Sequence, residues 1–359
     1  MNTTMNTMTN RLITLSARPD QNQGSHSQLS ADSFKIFERA VPELGPGEVL
    51  LANMYLSLDP YMAAYSFSVQ TLDEAVEARV VSRVVASNNK DLSVGDVLWG
   101  FFGWELYTVL PPTLQDRKGY DVRPNRIDPA NWPDGAPLSY AISLLGMPGL
   151  TAHVGIVDIG KAQAGETVYI SSAAGPLGQV AGQIAKQRGC YVVGSAGSDA
   201  KVEFVLGLGY DAAFNYKTTP NGIQAALETH CPNGIDVYFD NVGGETLDAV
   251  FMVMNKGARL ALCGMISTYQ SDDPYRLGNM FMAVRRAASM TGFVIYDHFP
   301  HKMPAYISQM GQMLAEGKIR YQDAVIEGLD NLPDAFIAML SGQHGMGKCV
   351  IALPEAAKS

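Results

Sequence analysis

The sequence predicts a two-domain α/β protein in which a β-rich N-terminal domain is followed by a domain built on a parallel sheet. Three observations predict it. The chain has 359 residues, more than one hydrophobic core usually holds. From about Arg11 to Leu110 the text consists of short apolar runs punctuated by Gly, Pro and Asn, the spacing of a strand-rich domain. After about Leu138 strands alternate with amphipathic helices, the signature of βαβ units. The boundary is therefore placed between residues 137 and 138.

In the first domain the strand-like runs are GPGEVLLANMYLSLDP, EARVVSRVVASN and SVGDVLWGFFGWELYTVL. The following LPPTLQDRKGYDVRPNRIDPANWPDGAP cannot continue a helix or a central strand, because its prolines lack the amide donor; it reads as a linker or a lid. In the second domain TVYISSA reads as a strand. PLGQVAGQIAKQRG then places Leu177, Val180, Ala181, Ile184 and Ala185 on one helical face, and CYVVGSA is the next strand. KVEFVLGLG reads as a helix, DAAFNY as a strand, IDVYFDNVGG as a strand and turn, and ARLALCG and MTGFVIYD as two further strands. A helix over YISQMGQMLAEGK, a second one near Pro333 to Leu340 and an apolar strand GKCVIALP close the chain.

Composition narrows the function classes. Hydrophobic residues make up 47% and charged residues 17%, as in ordinary globular proteins. A net charge of −9 repels phosphate backbones, so nucleic acid is not an expected partner. No window approaches an uninterrupted membrane-spanning run, and MNTTMNTMTNRLITL lacks the basic and apolar regions of a secretory signal. A cytoplasmic protein is expected, without membrane association. Cys190, Cys231, Cys263 and Cys349 are scattered, without the CxxC or CxxH spacing that gathers soft metal ligands, so no metal site is expected.

The strongest local signal is SSAAGPLG, between a strand and a helix. Ala173, Gly175 and Gly178 occupy the three small-residue positions of the dinucleotide fingerprint, and Ala174, Pro176 and Leu177 fill the rest of the turn. Pro176 suits the first helical turn, whose unengaged amides point at an anion. An NAD enzyme typically carries an acid at the end of the next strand; here the text is VVGSAGSDAK. Asp199 has roughly the right spacing, yet with Ser198 it directly precedes a helix, where an N-cap or first-turn role is simpler. That leaves a Gly/Ser-lined strand tip with Lys201 close by, which suits a 2′-phosphate.

These segments and several others, in one order, resemble the zinc-independent medium-chain dehydrogenase/reductase group that includes prostaglandin reductases, plant double-bond reductases and bacterial curcumin reductases. The carriers are LSLDPYM, GMPGLTAH, the fingerprint, AGSDAK, FNYK, DNVGG, CGMISTY and the terminal GKCVI, so the likeness covers nearly the whole chain. It implies a GroES-like domain of residues 1–137 completed by 311–359, a Rossmann domain of residues 138–310, an active site in the cleft, and a homodimer. It also implies NADPH, with Lys201 and Tyr216 at the 2′-phosphate, Asn241 in a contacting turn, Cys263, Gly264, Ile266, Ser267 and Tyr269 along the nicotinamide half, and a strand Phe293, Val294, Ile295 beside that ring. Cys263 and Phe293 are expected to be core residues.

The expected activity is reduction of the C=C bond of an α,β-unsaturated carbonyl compound, a small-molecule enone or enal. Negative charge develops on the carbonyl oxygen, and something must donate to it. Tyr269 is the first candidate donor and Tyr61 the second; Tyr61, Tyr65 and Met147 are candidate substrate-lining residues. Two departures from the family pattern stand out: Ala63 where relatives carry Arg after DPYM, and QHGMGK around Gly345 where relatives carry an Asn. A quinone reductase and a non-catalytic NADPH-binding protein of crystallin type remain open alternatives.

Overall fold

A computed structural model describes residues 8–16, 29–114, 124–269, 275–299 and 301–355; of Tyr65, Ser66 and Ser68 it describes the backbone alone. The chain forms two units, Met1–Ile142 with Asp323–Ser359, and Ser143–Gln322.

The first unit contains β1 (Thr9–Leu15), β2 (Phe34–Ala40), β3 (Val49–Ser57), the single turn α1 (Phe67–Val69), β4 (Glu77–Ser87), β5 (Val97–Gly103), β6 (Tyr107–Leu110) and β7 (Asn125–Ile127). β1 and β2 pair antiparallel over their full length. The lid-like stretch after Leu110 supplies β7, which pairs antiparallel with β5 at the edge of a seven-stranded sheet, where a proline-bearing segment can sit without breaking a ladder. Alternation in β3 to β5 turns Val49, Leu51, Val80, Val84, Leu98 and Phe102 into one core. At its centre Phe34, Phe67, Trp104 and Phe336 pack edge to face or tilted, with centroids 5.4 to 6.2 Å apart. The indole of Trp104 donates to the Ser57 carbonyl at 3.2 Å, so its polar edge is satisfied.

The second unit runs α2 (Met147–His153), β8 (Thr167–Ile170), α3 (Pro176–Gln187), β9 (Tyr191–Ala196), α4 (Asp199–Gly207), β10 (Ala212–Asn215), α5 (Gly222–His230), β11 (Ile235–Asp240), α6 (Gly244–Val253), β12 (Met254–Leu262), α7 (Phe281–Arg285), β13 (Ser289–Gly292) and α8 (Met303–Ala315). Its six strands are all parallel in the order β10-β9-β8-β11-β12-β13. The order reverses direction between β8 and β11, the switch point where such sheets open a crevice for ligands. Val180, Ala181, Ile184 and Ala185 are buried on α3 as their spacing predicts, while Leu177 is half-buried at the helix start.

The chain returns to the first unit at Asp323 rather than at residue 311. α8 keeps the intervening segment in the second unit: Tyr306 is fully enclosed there and donates to the Leu144 carbonyl at 2.7 Å, and Gln183 and Gln179 of α3 donate to the carbonyls of Arg320 and Gln322. β14 (Asp323–Glu327), α9 (Leu332–Leu340) and β15 (Lys348–Ala352) then complete the first unit, with β15 between β14 and β3. The forward boundary falls at Ile142/Ser143 instead of 137/138, because a 3-10 turn over Leu138–Ile142 stays with the first unit, where Ser139 donates to Asp323 at 2.7 Å.

Candidate active site

The fingerprint turn leaves β8 at Ser171 and enters α3 at Pro176. Ala173 N–H donates to the Ser195 carbonyl at 2.9 Å, pinning the turn to β9. Gly178 is obligatory: a Cβ there would lie 2.4 Å from the Ala173 carbonyl oxygen, so helix and turn approach to backbone contact. The first-turn amides of Leu177 and Gly178 have no carbonyl four residues earlier within the helix and face the strand ends, a ready anion site of the kind a pyrophosphate occupies.

At the tip of β9, Ser198 caps α4 by accepting from Lys201 N–H at 3.3 Å, and Asp199 lies in the first turn, where its carboxylate accepts from Asn215 Nδ2 at 2.8 Å. Asp199 is thus spent on the helix start, as its place before the helix predicts. Lys201 is half-buried. Desolvation lowers its pKa first and the nearby Lys217 ammonium lowers it further, so the two cations crowd one another. Lys217 Nζ lies 6.0 Å from the ring centre of Tyr216, and a Cβ on Gly197 would meet the Tyr216 hydroxyl at 3.2 Å and Lys217 Cε at 3.4 Å. Lys201, Tyr216 and Lys217 therefore converge on the strand tip. Lys217 was not singled out from sequence, although it directly follows Tyr216.

On the other side of the switch point Asn241 donates from Nδ2 to the Ser171 carbonyl at 2.9 Å, which ties two turns together. Gly243 and Gly244 both take left-handed backbone, at φ 67° and 53°; side chains there would strike Met265 and Ser267. The segment Cys263 to Tyr269 is hooked onto this turn by Ser267, whose Oγ donates to the Val242 carbonyl at 2.6 Å. Ser267 is exposed, with its hydroxyl engaged by this bond. Gly264 and Ile266 sit half-buried beside it. Cys263 is half-buried rather than core, and its thiol, pushed up to about 12 by burial and by Asp240, is no nucleophile.

Tyr269 is half-buried, and its hydroxyl accepts from Met265 N–H at 3.3 Å, leaving its own proton available to donate. Burial, with smaller contributions from Cys263 and Asp240, raises its pKa, so it keeps that proton at neutral pH. Phe293 to Ile295 do not form the expected strand. Pairing with β12 ends at Leu262 and Gly292; Phe293 follows half-buried, Val294 is exposed and Ile295 opens a 3-10 turn. Met147 is buried at the start of α2. His153, at the end of that helix, has its pKa lowered by burial and is neutral.

In the first unit Tyr61 is half-buried, with the Arg79 guanidinium 5.8 Å from its ring centre. Asp59, two residues earlier, is held by Lys348 of β15: Nζ donates to Asp59 Oδ1 at 2.5 Å and to the Leu58 carbonyl. The side chain of Tyr65 lies outside the described residues.

A parallel sheet with a small-residue turn at its switch point, beside a strand tip gathering two lysines, defines a dinucleotide-dependent oxidoreductase of two units. Comparison with known proteins carries this further. A family model described as zinc-binding dehydrogenase matches residues 176–312, and one described as the N-terminal domain of oxidoreductase matches residues 11–115. A 2-alkenal reductase (NADP(+)-dependent) of Nicotiana tabacum is 38% identical over 319 residues, 87% of this chain and 88% of the relative. Prostaglandin reductase 1 of Rattus norvegicus is 39% identical over 320 residues, 89% of this chain and 93% of the relative. The crystal structure of CurA in complex with NADPH from Vibrio vulnificus, 34% identical, superimposes with a TM-score of 0.82 over 96% of this chain and 99% of that one. The chain belongs to the medium-chain dehydrogenase/reductase family. Among the described residues no three His, Cys, Asp or Glu side chains are grouped to hold a metal.

Proposed function

We propose that this protein is an NADPH-dependent reductase of the C=C bond of α,β-unsaturated carbonyl compounds. The observation that carries the reading is the pair of crowded lysines, Lys201 and Lys217, with Tyr216 at the strand tip beside the fingerprint turn, in a chain whose relatives include an NADP-dependent 2-alkenal reductase. When bound, NADPH supplies hydride to the β-carbon of the enone. Lys201, Tyr216 and Lys217 hold the 2′-phosphate, and the amides at the start of α3 face the pyrophosphate. The nicotinamide half lies along Asn241 and Cys263 to Tyr269. Tyr269 donates its hydroxyl proton in a hydrogen bond to the developing enolate oxygen, and the Met265 amide that donates to the same hydroxyl strengthens that donation. Tyr61, in the first unit, is the second candidate hydroxyl.

The test is loss of reduced-nicotinamide absorbance with a panel of enals, enones, quinones and saturated aldehydes. Turnover of enals and enones with retention of the carbonyl supports the reading. Turnover of quinones alone assigns a quinone reductase, and NADPH binding without turnover of any of them assigns a non-catalytic protein.

We further infer a homodimer joined along β13. Among the described residues that strand ends the parallel sheet, and just before it Phe281 and Val284 of α7 are 70% and 73% exposed, an apolar edge that a second copy would cover. Light scattering of wild type and a Val284→Glu variant checks it. A cytoplasmic location suits the four cysteines, which are all thiols. Among the described residues no helix is long and apolar enough to cross a membrane.

A further inference from the structure

Asp240, the last residue of β11, is fully buried and belongs to none of the roles assigned above. One of its carboxyl oxygens is crowded. Oδ1 accepts from the Tyr238 hydroxyl at 2.6 Å, from Gly243 N–H at 2.8 Å, from Val242 N–H at 2.9 Å and, more weakly, from Ser171 Oγ at 3.5 Å. The other oxygen, Oδ2, is buried with no hydrogen-bond partner among the described residues. The backbone carbonyl of the same residue accepts from Cys263 N–H at 2.9 Å and Gly264 N–H at 3.1 Å. Ser171 Oγ in turn accepts from Asn241 N–H at 2.9 Å, with the Tyr238 hydroxyl oxygen 3.2 Å away.

One residue thus touches three separate stretches of chain: the start of the fingerprint turn at Ser171, the turn Asn241 to Gly243, and the start of the Cys263 to Tyr269 segment. These are the stretches that contact the dinucleotide in the reading above, on which this inference rests. We propose that Asp240 is a positioning residue that registers the three cofactor-contacting segments against one another, with Oδ1 as the shared acceptor for the turn and its backbone carbonyl as the acceptor for the Cys263 segment. Convergence carries it: hydroxyl and amide donors from separate stretches meet on one buried residue, where a lost acceptor leaves those donors unpaired.

The test compares Asp240→Ala, Asp240→Asn and Tyr238→Phe in the full chain, by amide exchange in the cofactor-free protein and by titration with NADPH and NADH. Asp240→Ala is expected to speed exchange at Val242, Gly243, Cys263 and Gly264 together, and to weaken NADPH and NADH by the same factor, about tenfold, since neither change reaches the 2′-phosphate end. Asp240→Asn keeps the Oδ1 acceptor, so binding is expected within about threefold of wild type. An Asn variant as weak as the Ala variant overturns Oδ1 as the shared acceptor. Faster exchange confined to Val242 and Gly243 overturns the registration. Should Asp240→Ala fail to fold, Tyr238→Phe decides: faster exchange at the same four amides supports the proposal, and unchanged exchange overturns it. Exchange is read without cofactor, so a wild type that binds no NADPH overturns the proposed function while the registration stands or falls on the four amides.

Discussion

Two buried aspartates, one in each unit, end a strand and open a turn, and their neighbours give them opposite tendencies. Asp59 lies just past β3. Desolvation pushes its pKa up, but Lys348, Arg79 and the hydrogen bonds from Lys348 and Ser57 outweigh it, and the net shift is downward. Asp240 ends β11 among hydroxyl and amide donors. There desolvation outweighs the hydrogen bonds from Tyr238, Gly243, Val242 and Ser171, and the net shift is upward. Burial alone therefore does not set the charge of a carboxyl group; the charge on its partners decides.

The largest effect expected from this contrast is at Lys348, which is 1% exposed. Lys348→Met leaves Asp59 buried without its cation and should cost the first unit about 3–5 kcal/mol. Trp99, Trp104 and Trp132, the only tryptophans in the chain, all belong to that unit, so their fluorescence during urea unfolding reports it selectively. The pH dependence has a definite sign. Because the folded pKa of Asp59 is depressed, its contribution is present above the unfolded carboxylate pKa and is lost as pH falls through the folded value. A loss below about 1 kcal/mol in Lys348→Met would break the contrast, since a surface ion pair is worth that little.

The upward side of the comparison is sharpened at Tyr269, whose pKa is likewise raised first by burial. Tyr269→Phe should lower single-turnover hydride transfer from C4-deuterated NADPH by roughly 10- to 1000-fold with NADPH affinity nearly unchanged. Equal rates and isotope effects in Tyr269→Phe and Tyr61→Phe, both matching wild type, would remove both hydroxyls from the chemistry.

A third regime is two cations side by side. Lys201→Ala should weaken NADPH relative to NADH by about 1–3 kcal/mol, as expected for a charge-assisted phosphate contact. The exposed Lys217→Ala should cost less, up to about 1 kcal/mol. Since desolvation and Lys217 depress the Lys201 pKa, the preference for NADPH should fade as pH rises through that lowered value, and Lys201→Arg should retain it to higher pH. Equal losses for both cofactors in Lys201→Ala would remove the phosphate assignment. The smallest effect is expected from metal removal: exhaustive chelation should leave activity unchanged, and elemental analysis showing one zinc per chain would overturn that expectation.

Much of this was legible in the sequence, for reasons that differ along the chain. The fingerprint turn, the α3 face and Lys201 were readable because each depends on residues close in sequence: glycines that permit backbone contact, apolar residues at helical spacing, a cation at a helix start. α5 and β14 were missed. α5 opens at Gly222 after left-handed Asn221, text that looks like a turn, and β14 carries DAVIE, too short and too charged to stand out. The strand expected at Phe293 to Ile295 ends early because strand length is set by the partner β12, not by local β-propensity. Asp240 and Ser171 could not be read as a hub, since the donors on them come from stretches up to 70 residues apart that only the parallel sheet brings together.

The placement of β15 has a consequence for biosynthesis. Residues 143–322 form one continuous stretch and emerge from the ribosome before the strand that carries Lys348. The second unit is thus free to fold while the first still lacks a strand of its sheet and the cation for Asp59, a carboxylate that stays hydrated until then. The first unit is the last to close, because its sheet waits for a strand that is synthesised after the whole of the second unit.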